Sequence, residues 1–303
     1  MRTGSGAPQV KEVASPRCPV ALVTAVLDEQ EFLPGLAASV VSQTLTPALW
    51  VIVDDGSTDS SLDLLKEIEK SIPWVVIITR PGPHERTDLS MATVFDFAMR
   101  SASHHMQRAG IAKFVLGKVD ADVILAPRCV EACVSQFETD VRLGIVGPSL
   151  GRAAKLAGHQ LEFRRGSPFL ITDEPADGVR FYRSECLETI GWVPLQVAPD
   201  TAMLEIARAR EWKTSRLPDT LAWLQRNTGA TTSAKAVGVR LAGRRYSVPL
   251  AASFLFLERM VSREKKALPA FYAFLEEVAK RRLADGDQPR RTLTRQLAKL
   301  RIY

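Results

Sequence analysis

The chain has 303 residues, 46% hydrophobic and 24% charged, which supplies a sizeable core and excludes wholesale disorder. Gly and Pro, 18 each, exclude collagen-like and low-complexity organisation, and the longest apolar run, Val248–Leu257, falls well short of the roughly 20 residues that a membrane-spanning helix needs. The net charge of +6 belongs to the tail: Lys280, Arg281, Arg282, Arg290, Arg291, Arg295, Lys299 and Arg301 against Asp285 and Asp287 account for the whole excess, and the near-neutral body argues against a nucleic-acid partner.

Residues 1–17 are small, polar and Pro-punctuated, and read as a flexible leader without the apolar stretch of a secretory signal. Four scattered cysteines, Cys18, Cys129, Cys133 and Cys186, make no disulfide framework, so a cytoplasmic location is expected. The first strand is expected at Val20–Val26, a continuous apolar run of the kind buried on both faces of a sheet. Phe32, Leu33, Leu36, Ala37, Val40 and Val41 then recur at helical spacing. Leu49–Val53 reads as a second strand, and Ser57 and Thr58 as the cap of a helix carrying Leu62, Leu64, Leu65 and Ile68. Trp74–Thr79, Phe114–Val119 and Leu143–Val146 read as further strands, with helices over Leu89–Gln107 and Pro127–Phe137. Cys129 and Cys133, at i and i+4 on the latter, are expected in the core. This alternation predicts an α/β domain with a parallel, doubly wound sheet. It fails after about residue 150, so 151–235 reads as an irregular, substrate-facing half and 248–282 as helical.

Ligands of open parallel sheets bind beyond the carboxyl ends of the strands. The second strand ends in Asp54-Asp55-Gly56-Ser57-Thr58-Asp59 and the fourth in Asp120-Ala121-Asp122. No GxGxxG follows the first strand, which ends Leu27-Asp28-Glu29, and no GxxxxGK[ST] occurs, so neither glycine-rich phosphate cradle is present. Carboxylates instead suggest contacts to base and ribose, with a metal for the phosphates. Asp120 and Asp122, two hard oxygen ligands just past a strand end, suit Mn²⁺ or Mg²⁺ completed by diphosphate oxygens and water. Such an ion neutralises charge on a departing nucleoside diphosphate. The competing structural reading is a turn capped by aspartates.

PVALVTAVLDEQEFLPGLAASVVSQTL (19–45), VIVDDGSTDSS (51–61), KVDADVIL (118–125) and the stretch 177–219 together resemble the inverting, GT-A-fold glycosyltransferases of family 2, over about residues 18–230. The resemblance implies one GT-A domain over 18–235 with a mostly parallel central sheet flanked by helices. Residues 18–125 would form its nucleotide-sugar half and 126–235 its acceptor half, with a helical extension and basic tail over 236–303. It implies metal-dependent, inverting transfer of a sugar from a nucleotide-diphosphate sugar to the hydroxyl of a glycan or lipid-linked acceptor.

Residue by residue, Thr24 and Asp54 resemble the groups that hold base and ribose, Asp54 accepting from a base N–H. Asp55 is expected to brace the turn that Gly56 permits, and Asp59 to cap the next helix. Asp120 resembles the residue near ribose and metal, and Asp122 the direct metal ligand. The catalytic base matches Asp200, a single acid after Pro199 where relatives carry a Glu-Asp pair; an N-cap is the alternative. Leu224 stands where relatives often carry a histidine, and Arg226 is expected on the diphosphate. Arg180 and Arg183, in an extended DGVRFYRSE, are expected on one side of the strand and in contact with substrate. Two further readings of the whole chain are a sugar-nucleotide nucleotidyltransferase and an inactive nucleotide- or glycan-binding module. In the tail, Leu293, Leu297 and Leu300 interleave with Arg291, Arg295 and Lys299, and residues 280–303 are expected to rest on an anionic membrane at its cytoplasmic face.

Overall fold

The apolar runs become strands because helices cover both of their faces. The computed structural model describes residues 18–80, 88–155, 161–164, 175, 178–193 and 199–226. Strands β1 (Val20–Val26), β2 (Leu49–Asp54), β3 (Val75–Thr79) and β4 (Val115–Val119) pair in parallel in the order β3-β2-β1-β4. Helices α1 (Leu33–Val41), α2 (Ser61–Ser71) and α3 (Asp88–Arg108) are their crossovers. Every residue of β1, β2 and β4 is buried. Alternation along the strands feeds two cores. Leu22, Trp50 and Ile52 pack with Leu33, Leu36, Val40 and Leu65 on one face, and Val23, Val51 and Leu116 with Phe95, Ala98 and Met99 on the other.

Beyond β4 the sheet becomes mixed. β8 (Val179–Arg183) pairs antiparallel with β4, and β6 (Leu143–Lys155) antiparallel with β8. β9 (Lys213–Leu224) runs parallel to β6, while β5 (Val123–Leu125) closes the order antiparallel to β9, and β7 (Leu161–Arg164) pairs with β6. Helices α4 (Cys129–Thr139), α5 (Ser184–Ile190) and α6 (Pro199–Ala209) complete the described elements. Cys129 and Cys133 are buried as expected.

The reading of 151–235 as irregular is therefore corrected: this half supplies three strands and two helices as well as the far end of β6, which runs on past Val146 to Lys155. The apolar rhythm is hidden because the β6–β9 pairing shifts register three times, between Leu143 and Ile145, Gly147 and Ser149, and Ser149 and Leu150. The leader 1–17, the helical segment 248–282, the extension 236–303 and the basic tail 280–303 lie outside the described residues. Among the described residues no helix is long and apolar enough to cross a membrane.

Gly117 sits in β4 where β1 and β8 close on it. A Cβ there would lie 2.6 Å from Leu22 Cδ2 and 2.7 Å from Phe181 Cε1. Gly117→Ala is expected to destabilise the fold by roughly 1–3 kcal/mol through overpacking. Urea denaturation measures this, and an unchanged midpoint would contradict the packing described.

Candidate active site

The carboxyl ends of β1 and β2 are laced together by side chains. Asp28 adopts φ 54° and its N–H donates to Ser57 Oγ at 3.0 Å, while its Oδ1 accepts from the N–H of Thr58 and Asp59 at 2.7 and 3.2 Å. Glu29 N–H donates to Ser61 Oγ, and Gln30 N–H to Asp59 Oδ2. Ser57 and Thr58 thus serve the turn of Asp28 and do not cap α2, whose N-cap is Ser60. Asp59 Oδ1 does accept from Ser61 N–H at the start of α2, as expected. This lacing fixes the chain from Asp54 onward, with Gly56 at φ 88°.

Asp54, the last residue of β2, is 2% exposed, and its Oδ1 is buried with no hydrogen-bond partner among the described residues. Asp55 faces Arg80 Nε at 3.7 Å, and the Arg80 guanidinium lies over the Phe97 ring. Thr24 sits inside β1, two positions short of its end. It is fully buried and its Oγ1 accepts from Trp50 Nε1 at 3.0 Å, so the structure leaves it out of the acidic cluster.

A second group of charges lies past β4. Lys118, buried in the strand, places Nζ 3.2 and 3.3 Å from the two carboxylate oxygens of Asp200 and 3.4 Å from Asp120 Oδ1, over the ring of Phe95. Pro199 opens α6 and Asp200 occupies its first turn. Its side chain turns to Lys118 and to Arg180, whose Nη1 is 3.5 Å from Asp200 Oδ1 and 2.5 Å from the Asp200 carbonyl. Arg180 also donates through Nε and Nη2 to the Pro175 carbonyl.

Arg183 goes elsewhere. It donates to the carbonyls of Leu143, Phe137 and Asp140 and lies over the Phe137 ring. The expectation that Arg180 and Arg183 share a side is corrected: residues three apart on a strand point to opposite faces.

The third group centres on Arg226, just past β9. Its Nε donates to Asp122 Oδ2 at 3.3 Å, its Nη2 to Glu29 Oε2, and its guanidinium stacks over Phe32. Gln225 N–H donates to the Asp122 carbonyl at 2.7 Å and its Nε2 to the Phe32 carbonyl. Gly35 makes room for this: a Cβ there would stand 2.5 Å from Gln225 Oε1. Lys118 and Glu29 are the site residues that motif reading passed over. Both had a visible signal, a charge inside an apolar strand and an acid at a strand's end.

Burial pushes the Asp120 carboxyl up to about 7, and Asp200 and Asp122 add to the rise although Lys118 opposes it. Burial works against the Lys118 charge, but Asp120 and Asp200 outweigh it and hold its pKa above the usual lysine range. A surplus of negative charge suits a hard divalent cation. Among the described residues no group of three or more His, Cys, Asp or Glu could hold a metal ion. Asp120 and Asp122 therefore fit an ion only as a partial shell that diphosphate oxygens and water complete.

The Asp120 shift has a signed consequence for stability. Its folded pKa of about 7 exceeds the ordinary 3.8, so metal-free stability falls as pH rises between those values and stays lowered above them. Asp120→Asn is expected to raise the Tm of metal-free protein more at about pH 8 than at about pH 5. Equal gains in the two melts would contradict the assignment.

Residues 21–157 match the family model described as Glycosyl transferase family 2. Over 116 residues the chain is 29% identical to chondroitin synthase of Escherichia coli, a match covering 38% of this chain and 15% of that protein. Its fold resembles the mannosyltransferase PcManGT of Pyrobaculum calidifontis, solved with GDP-Man and Mn²⁺, with a TM-score of 0.54, 16% identity and coverage of 99% and 84% of the two chains. It also resembles TarS of S. aureus, with a TM-score of 0.50, 13% identity and coverage of 81% of this chain and 43% of that one. These structural likenesses show a shared GT-A-like α/β fold.

Proposed function

We propose, from the match of residues 21–157 to the glycosyl transferase family 2 model, that the protein is an inverting, divalent-metal-dependent glycosyltransferase moving a sugar from a nucleotide-diphosphate donor to a hydroxyl acceptor. The observation that supports this most is the Lys118 ammonium, which joins Asp120 to Asp200, 82 positions beyond the lysine, and so brings the donor-side and acceptor-side acids into one cluster.

The unpartnered Asp54 oxygen accepts an N–H from the donor's base. Asp120 and Asp122 would hold Mn²⁺ or Mg²⁺, with the donor's diphosphate completing the shell. That ion, when bound, supplies charge neutralisation to the departing nucleoside diphosphate. Arg226, beside Asp122, donates to the diphosphate. Asp200 takes the proton of the acceptor hydroxyl as that oxygen attacks the anomeric carbon from the face opposite the leaving group, which inverts the centre. Lys118 and Arg180 orient Asp200. Thr24 and Arg183 keep structural partners in this reading, the Trp50 indole and the end of α4. The acceptor is a glycan or a lipid-linked sugar, reached by peripheral contact of residues 280–303 with the cytoplasmic face of an anionic membrane.

One observation favours a binding-only module: the Asp200 carboxylate is already engaged by two cations, Lys118 and Arg180, as a structural counter-ion would be. Release of free nucleoside diphosphate from a nucleotide sugar decides between the two. Asp200→Asn is expected to lower kcat by roughly 10²–10⁴-fold while changing donor affinity little. Asp122→Asn, or EDTA on the wild type, is expected to abolish turnover with the fold retained in circular dichroism. Full turnover in all three conditions would overturn the metal-assisted mechanism and reduce Asp200 to a structural counter-ion.

A further inference from the structure

Arg226 occupies an atom that a metal ion needs. Its Nε donates to Oδ2 of Asp122, one of the two carboxylate oxygens through which Asp122 could ligate a cation. The arginine does not reach this place by drift. Its neighbour Gln225 is fixed by two hydrogen bonds, one to the Asp122 carbonyl and one to the Phe32 carbonyl at the entry to α1, and Gly35 is open enough to admit the Gln225 amide. The guanidinium itself rests on the Phe32 ring, 4.8 Å from its centroid, and is held by Glu29, whose side chain is 2% exposed against 41% for Arg226. The buried acid is thus an anchor on the protein side, and the exposed arginine a cation offered toward the solvent side.

We propose that Arg226, tethered by Glu29, is a resident counter-ion of Asp122 that an entering divalent cation displaces, and that the displaced guanidinium then serves the donor's diphosphate. The proposal rests on the reading that Asp122 holds a divalent ion. A cation and the guanidinium compete for the Asp122 carboxylate, because two positive charges on one carboxylate repel each other. Glu29 keeps the freed guanidinium at the site's edge, where its planar fork of donors suits phosphate oxygens. Cation and nucleotide then assist one another. The cation alone must break the Asp122–Arg226 pair, whereas with the diphosphate present the arginine exchanges one anion for another. Glu29 is the positioning residue of this exchange.

The test reads binding rather than turnover. Free Mn²⁺ is titrated by electron paramagnetic resonance against the full chain, and UDP and GDP are each titrated by calorimetry at saturating Mn²⁺. The double variant Glu29→Gln with Arg226→Met removes one charge of each sign, so the net charge near Asp122 is unchanged and only direct competition is lost. It is expected to bind Mn²⁺ about 5-fold tighter than wild type without nucleotide, and the nucleotide that wild type binds about 5-fold more weakly, a change of order 1 kcal/mol for a partly exposed pair. Glu29→Gln alone leaves Arg226 wholly to Asp122 and is expected to weaken Mn²⁺ binding, the opposite sign. Should the double variant fail to fold, Arg226→Gln, which keeps a donor for Glu29, carries the same two signs as the double. A purely structural latch would weaken both ligands in every variant, and that result overturns the exchange. Unchanged Mn²⁺ affinity in the double variant overturns it as well. In either case the proposed function stands as long as Asp122→Asn abolishes Mn²⁺ binding. Mn²⁺ binding that survives Asp122→Asn overturns both.

Discussion

Carboxylates crowd the carboxyl edge of this sheet, and the fold tolerates them because cations or backbone N–H groups meet most of them. Glu29 and Asp122 share Arg226, Asp120 and Asp200 share Lys118, Asp200 also has Arg180, and Asp55 has Arg80. Taking a carboxylate out of water costs several kcal/mol unless it is paired and hydrogen-bonded. The positions of β8, α6 and β9 follow from this constraint. β9 brings Arg226 to Glu29 and Asp122, just past β1 and β4, while α6 brings Asp200 to Lys118 of β4 and Arg180 of β8. Asp54 is the exception, with a buried oxygen unmet among the described residues, and it is the acid a ligand would complete.

The two halves of the sheet divide the work. The parallel order β3-β2-β1-β4 supplies acids at its carboxyl edge because each strand ends where a crossover begins. The mixed half turns strands back antiparallel, so that β8 lays Arg180 beside Lys118 and β9 delivers Gln225 and Arg226 over the Asp120–Asp122 turn. The match to glycosyl transferase family 2 covers the first half and the start of the second, whereas Gln225 and Arg226, which hold Asp122 in place, come from beyond residue 157. Fold and donor-side acids can thus be common to distant relatives while the cations that tune them differ.

The parallel half was legible because its strands are uninterrupted apolar runs, and the helix after Asp88 matched its Met91, Val94, Phe95, Ala98 and Met99 face. Asp54, Asp120, Asp122 and Asp200 were legible as acids at strand or helix ends. The mixed half was not, since Gly147, Pro148 and Pro218 break the alternation that marks a strand. Thr24 is expected on base and ribose, yet it lies inside β1, where its hydroxyl accepts from Trp50. Arg183 was paired with Arg180 by proximity in sequence, but the pleat separates them. Lys118 and Asp28 act through partners that spacing alone does not reveal, 82 and 30 positions away.

The register of β4 on β8 sets Lys118 directly opposite Arg180. Two like charges in that arrangement repel, and they sit together here because Asp200 reaches between them. In evolutionary terms the three positions are expected to change together. A descendant that loses the aspartate leaves two cations facing one another on neighbouring strands, and one that loses the lysine leaves Asp120 beside Asp122 and Asp200 without its own cation. Drift at any of the three should therefore be followed by drift at the others, and the trio should appear whole or be replaced whole across the lineage.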